Sequence, residues 1–197
     1  MRLYRAADWG PAPESVTNWD RKQLFKRVDL QWTTPVSINK KGEIPLFSKN
    51  VPILYVLVRD HGKFRRTNNI LYVGLSKSPT TRFYGHGAVK ALAKMAGVLT
   101  FSYAVLSIKG RNREVRETKS LNEIEHIFIW ALWAFDHDLH NVKKQNTLPG
   151  LGKSGGSAWH ICNTGERFGG RMPREIVYPW MLVRLGRDRS ERQRKKA

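Results

Sequence analysis

Pro52-Ile-Leu-Tyr-Val-Leu-Val58 and Ile70-Leu-Tyr-Val-Gly-Leu75 are the two stretches on which the reading of this chain turns. Each is a short apolar run rich in β-branched and aromatic residues, the pattern of a buried strand. The residues between them, 59–69, carry Gly, Asn and several basic side chains, so they read as a wet loop joining two antiparallel strands. On such a pair, residues of like parity share a face, which puts Tyr55 and Tyr72 side by side with Gly74 next to them. A glycine at that place leaves room for a close approach to the backbone, here expected from a phosphate.

Working toward the C-terminus, Ser78-Pro79 has the form of an N-cap followed by a first-turn proline, and Gly97 closes the helix that follows. Arg82, His86 and Lys90 recur at four-residue spacing and fall on one face of it. Val98–Ile108 reads as a third strand, 110–119 as a charged connection, and Leu121–Phe135 as the strongest helix. Leu121, Glu125, Phe128, Leu132 and Phe135 lie along one stripe of that helix, so Glu125 interrupts an apolar row. A carboxylate there must be paired or bind a metal, and a single Glu surrounded by water suits Mg²⁺ or Mn²⁺.

The flanks read differently. Residues 1–50 are rich in Trp, Pro and basic side chains and predict an irregular arm, with one short helix over Trp19–Val28 and Trp9, Trp19 and Trp32 as anchors. The stretch from Asn141 to Pro179 is punctuated by Gly and Pro and reads as structured loop, with Trp159, His160 and Cys162 alternating on a short strand. Arg184–Lys196 is a basic tail. The expected fold is therefore α/β (α+β), a three-stranded, mainly antiparallel sheet flanked by helices with basic N- and C-terminal extensions. Its divisions are 1–50 for the arm, 51–180 for the domain and 181–197 for the tail.

Charge sets the partner class. Lys and Arg total 35 against 16 Asp and Glu, a formal +19 with an isoelectric point near 10.5. An excess of that size favours a polyanion, since neutralising phosphates releases counterions. DNA is the expected partner, and no basic amphipathic helix argues for a membrane surface. The N-terminus lacks a signal-peptide core and no run reaches the roughly 18 apolar residues of a membrane span, so the reading is a cytoplasmic protein. One cysteine, Cys162, excludes an intramolecular disulfide.

Ile53-Leu-Tyr55, Tyr72-Val-Gly74, Arg82-x-x-x-His86, Glu125 and a later Asn resemble the ordered signature of the GIY-YIG nuclease superfamily. The Arg-x-x-x-His step, Pro149-Gly-Leu-Gly152, Trp159 and Arg171-Met-Pro-Arg174 are most similar to its type II restriction endonuclease branch, with 50–175 covered and Ile53-Leu54 standing where the family has Gly-Ile. The resemblance implies metal-dependent hydrolysis of DNA phosphodiesters by a restriction-type double-strand cutter, one Mg²⁺ or Mn²⁺ per active site, acting as a homodimer. It makes Tyr55 the base or water-orienting group with His86 assisting. Tyr72 would bind the scissile phosphate, Arg82 would stabilise the transition state and Glu125 would hold the metal. The family Asn falls on Asn141, with Asn146 as the alternative. Lys153, Arg167, Arg171 and Arg174, near the glycines at 150–156, are expected DNA contacts.

Other readings compete. Tyrosines in strands are most often core or sheet-surface aromatics, and a non-catalytic nucleic-acid-binding protein would use the same scaffold. Asp60 with Glu117-Thr-Lys119 imitates another restriction signature but lacks the apolar strand that signature needs. The glycines near Lys153 do not have P-loop spacing. His137-x-x-His140 with His160-x-Cys162 could hold zinc, although a one-residue gap is cramped for two ligands of a tetrahedral site.

Overall fold

The computed structural model describes residues 12–44, 47, 51–61, 66–83, 86–106, 113–135, 137–141, 143–145, 147 and 158–185. In chain order the elements are β1 (Phe25–Trp32), β2 (Val36–Ser37), β3 (Ile53–His61), β4 (Arg66–Ser76), α1 (Pro79–Arg82), α2 (Gly87–Ala93), β5 (Val98–Val105), α3 (Arg113–Ala134), β6 (Ala158–Gly165), β7 (Pro173–Tyr178) and β8 (Leu182–Leu185). The strands form one mixed, eight-stranded sheet in the order β4-β3-β5-β1-β6-β7-β8, with β2 paired to β5.

The hairpin expected at the centre of the sequence is present: β3 pairs antiparallel with β4 and with β5. The small three-stranded sheet built around it is not. Strand β1, from the stretch read as an irregular arm, lies in the middle of the sheet, parallel to β6 from Phe25↔Ala158 to Trp32↔Gly165. The signal was the spacing of Phe25, Val28, Leu30 and Trp32, all buried while Lys26, Arg27, Asp29 and Gln31 between them face solvent. Prolines on either side mark its ends and leave it free to pair. The short strand expected around Trp159–Cys162 is present as β6, β7 lies in the remainder of the segment read as loop, and β8 begins inside the expected tail. Trp32 is core and Trp19 fully exposed; Trp9 lies outside the described residues.

The two halves of the sheet meet through little. β1 joins β5 at the single pair Trp32↔Ala104, helped by the Thr33 N–H to the Tyr103 carbonyl and by Ser102 Oγ donating to the Thr33 carbonyl. One apolar core runs along one face and bridges that seam: Leu54, Val56 and Val73 from the first half join Leu30, Ile161 and Ile176 from the second, under Ile124, Phe128 and Leu132 of α3. The opposite face is divided. At the β3–β5 end, Ile53, Tyr55, Leu57 and Phe101 pack against Val89 and Leu92 of α2. At the β6–β8 end the strands present His160, Cys162, Glu175 and Arg184.

Two helices differ from expectation. α3 starts at Arg113, earlier than Leu121, because 113–120 holds no Gly or Pro to stop it. The helix expected over 79–97 is split into α1 and α2, with His86 in extended conformation as the N-cap of α2. Arg82 and His86 therefore do not sit on one helical face. Among the described residues no helix is long and apolar enough to cross a membrane.

Candidate functional sites on one face of the sheet

Tyr55 is fully buried at the β3–β5 end, and its neighbours across the strands are Gly74 on β4 and Tyr103 on β5. Gly74 opens space, but for the Tyr55 ring and not for a ligand: a Cβ at 74 would lie 2.4 Å from the ring's Cζ and Oη. Tyr72 stacks on Tyr55 with centroids 6.1 Å apart, and Phe83 meets Tyr55 edge-on at 5.1 Å. The tyrosines are thus both core aromatics and polar groups at one corner.

The Tyr55 hydroxyl is hydrogen-bonded to His86. The Val89 N–H donates to His86 Nδ1 at 3.4 Å, so the neutral ring carries its proton on Nε2. Nε2 lies 2.9 Å from the Tyr55 hydroxyl and donates to it, with the Tyr72 ring stacked alongside. Burial, and then the charge of Arg82, push His86 below its ordinary value, which keeps it neutral. Burial pushes Tyr55 far above the usual phenol range, with Tyr72 adding to it, and Tyr72 is raised by burial and by Glu125. Both phenols stay protonated near neutral pH. Tyr55 is thereby engaged by His86 inside the fold, and the half-buried Tyr72 stands beside it.

Glu125 and Asn141 border this corner along the free edge of β4. Asn141 is buried; its amide donates to the Val73 carbonyl at 2.7 Å and accepts the Val73 N–H at 3.0 Å, replacing a missing strand. Glu125 Oε1 accepts the Leu75 N–H at 3.1 Å, and Oε2 is held by the Lys144 ammonium. A cation therefore already faces the carboxylate read as the metal ligand. Nothing in its sequence context pointed to Lys144, which reaches Glu125 only through the fold.

The second cluster lies on the same face at the other end. His160 and Cys162 alternate outward on β6, and Glu175 on β7 is the cross-strand partner of Cys162. His160 Nε2 is 2.6 Å from Glu175 Oε1 and 3.3 Å from Cys162 Sγ. Its Nδ1 is 3.2 Å from Glu14 Oε1, without hydrogen-bond alignment. Hydrogen bonds to Cys162 and Glu175 outweigh burial and raise His160 to about 9. Burial alone would raise Glu175, but His160 and Arg184, whose Nη1 is 2.7 Å away, hold it below the usual carboxylate range. The ligand atoms of His160, Cys162 and Glu175 lie within 4.8 Å of one another and could coordinate a divalent metal ion. No such group of three includes Glu125 among the described residues.

A pocket of about 550 Å³ opens over this cluster, with Arg27, Arg167, Arg174 and Arg184 in its wall. Arg167 and Arg174, expected DNA contacts, thus come together here. Arg171 is exposed on the turn before β7, its carbonyl 3.2 Å from His137 Nε2. Lys153 and Asn146 lie outside the described residues.

No family model, curated protein or solved structure matches this chain. Together with the large mixed half-barrel sheet, that overturns membership of the GIY-YIG superfamily. The compact catalytic fold that the resemblance implied is not the fold observed, so the reading as a restriction-type endonuclease falls with it. Short motifs on a β-hairpin recur in unrelated chains, since Tyr is common in strands whatever the function.

Proposed function

We propose that the chain binds duplex DNA through its backbone, holding a phosphate at Arg82 and Tyr72, with Tyr55 and His86 packed behind them. The observation that carries this reading is an exposed guanidinium, Arg82, beside a half-buried protonated phenol, Tyr72, at a corner without a free carboxylate. His86 Nδ1 is used by the Val89 N–H, both phenols are protonated, and the one carboxylate nearby is engaged by Lys144 and the Leu75 N–H. A neutral phenol beside a guanidinium suits an anion, and the corner lacks a free base to activate water. The +19 charge supplies the long-range attraction. A divalent ion such as Mg²⁺ would reach Glu125 by displacing Lys144, so binding is expected to persist in EDTA. Arg167, Arg171, Arg174 and Lys153 would add backbone contacts elsewhere, and a two-fold dimer would double them.

The test is fluorescence anisotropy with a labelled duplex over a range of salt. Affinity should fall steeply with salt, and Arg82→Gln should make the log–log slope shallower by about one. Preference for a folded RNA of equal length would overturn the choice of DNA. Nicking of supercoiled plasmid that requires Mg²⁺ would overturn binding without turnover.

A further inference from the structure

We infer that His160 Nε2, Cys162 Sγ and Glu175 Oε1 form a tetrahedral metal site of the zinc class, with its fourth position facing the pocket beside Glu14. This goes beyond the DNA-binding reading and does not depend on it. The fold creates the site by two ordinary rules. Residues two apart on a strand share a face, so His160 and Cys162 project together, and the pairing of β6 with β7 sets Glu175 opposite Cys162.

Zinc bonds of about 2.0 to 2.3 Å imply ligand atoms roughly 3.3 to 3.7 Å apart at a tetrahedral centre. The nitrogen and sulfur are at 3.3 Å, and the nitrogen and carboxylate oxygen at 2.6 Å. The nitrogen–oxygen contact would open to admit the ion, and all three ligand atoms already lie within 4.8 Å of one another. Imidazole, thiolate and carboxylate together favour zinc or cobalt over magnesium, which prefers oxygen alone. The His160 side chain is only 3% exposed, yet its Nδ1 has no hydrogen-bond partner. Glu14 is close enough to align with it, or to turn toward the ion.

The surrounding arginines do not forbid the ion. It would replace the proton shared by His160 and Glu175 and the proton of the thiol, so two positive charges leave as two arrive. Arg184 would then act on the outer oxygen of Glu175 and orient the inner one.

The chain contains one cysteine, which makes the test direct. Full-length protein freed of metal by chelation is treated with iodoacetamide with and without Zn²⁺, and separately titrated with Co²⁺. The site predicts at least about tenfold slower alkylation in Zn²⁺. It also predicts one Co²⁺ per chain, with the visible bands of tetrahedral cobalt and a near-ultraviolet thiolate band. Cys162→Ser should lose the thiolate band and bind about tenfold more weakly or worse, with an unchanged far-ultraviolet circular dichroism spectrum. Should that variant fail to fold, the labelling experiment on the unaltered chain still decides. Alkylation at the same rate with and without zinc, or a cobalt spectrum that is octahedral or free of thiolate character, would overturn the site.

Discussion

His86 and His160 occupy opposite ends of one sheet face and are held in opposite states. At the β3–β5 end, burial and a nearby guanidinium push His86 down, so it is neutral and passes a hydrogen bond to a phenol. At the β6–β8 end, a thiol and a carboxylate raise His160 to about 9 although it is almost completely enclosed. Desolvation acts on both rings; the neighbours decide the sign. The first corner thereby keeps its imidazole and phenols neutral beside the Arg82 cation, which suits an incoming anion. The second is a self-compensated charge cluster that an ion of matching charge could enter. One protein carries both because the continuous apolar core lies on the other face and leaves this one free to differ.

That contrast can be broken most severely at its charged end. Glu175→Leu strips His160 and Arg184 of their shared partner inside the sheet, and urea unfolding should show a loss of about 3 to 5 kcal/mol. A near-neutral result would mean the network contributes nothing to stability. At the aromatic end, Gly74→Ala forces a Cβ into the Tyr55 ring. The expected cost is about 1 to 3 kcal/mol, with DNA affinity falling alongside as the phenol leaves His86.

pH separates the two ends by sign. His160 has a folded value near 9 against an ordinary 6.5, so its stabilisation is complete below 6.5 and disappears as pH rises toward 9. His86 is depressed, so the folded state resists its protonation and stability is lost as pH falls below 6.5. Thermal midpoints across this range should flatten on the alkaline side in His160→Gln. The acid side should flatten partly in His86→Gln, since His126 and His137 are depressed as well. Equal curves for all three proteins would refute the contrast.

The smallest effect is expected from Tyr72→Phe. It removes one half-buried hydroxyl and keeps the ring that stacks on Tyr55, so DNA affinity should drop about two- to tenfold while the thermal midpoint stays put. A loss confined to stability would move Tyr72 from the DNA corner to the core.

Read from residues alone, the chain yields its local elements and its charge. The continuous apolar run at 53–58, its partner at 70–75 and the long amphipathic helix around Phe128 are visible because apolar patterning reports local geometry. The +19 balance is composition and needs no fold. Only the tertiary structure decided that β1 enters the middle of the sheet, since strand pairing over more than a hundred residues leaves no mark at either end. It alone brought Lys144 to Glu125, turned Asn141 onto the edge of β4, and set Glu175 across from Cys162. His160-x-Cys162 looked too cramped for a metal when spacing along the chain was the sole guide. A third ligand from the adjacent strand changes that, because β-sheets build sites sideways, by register, where sequence distance carries no information.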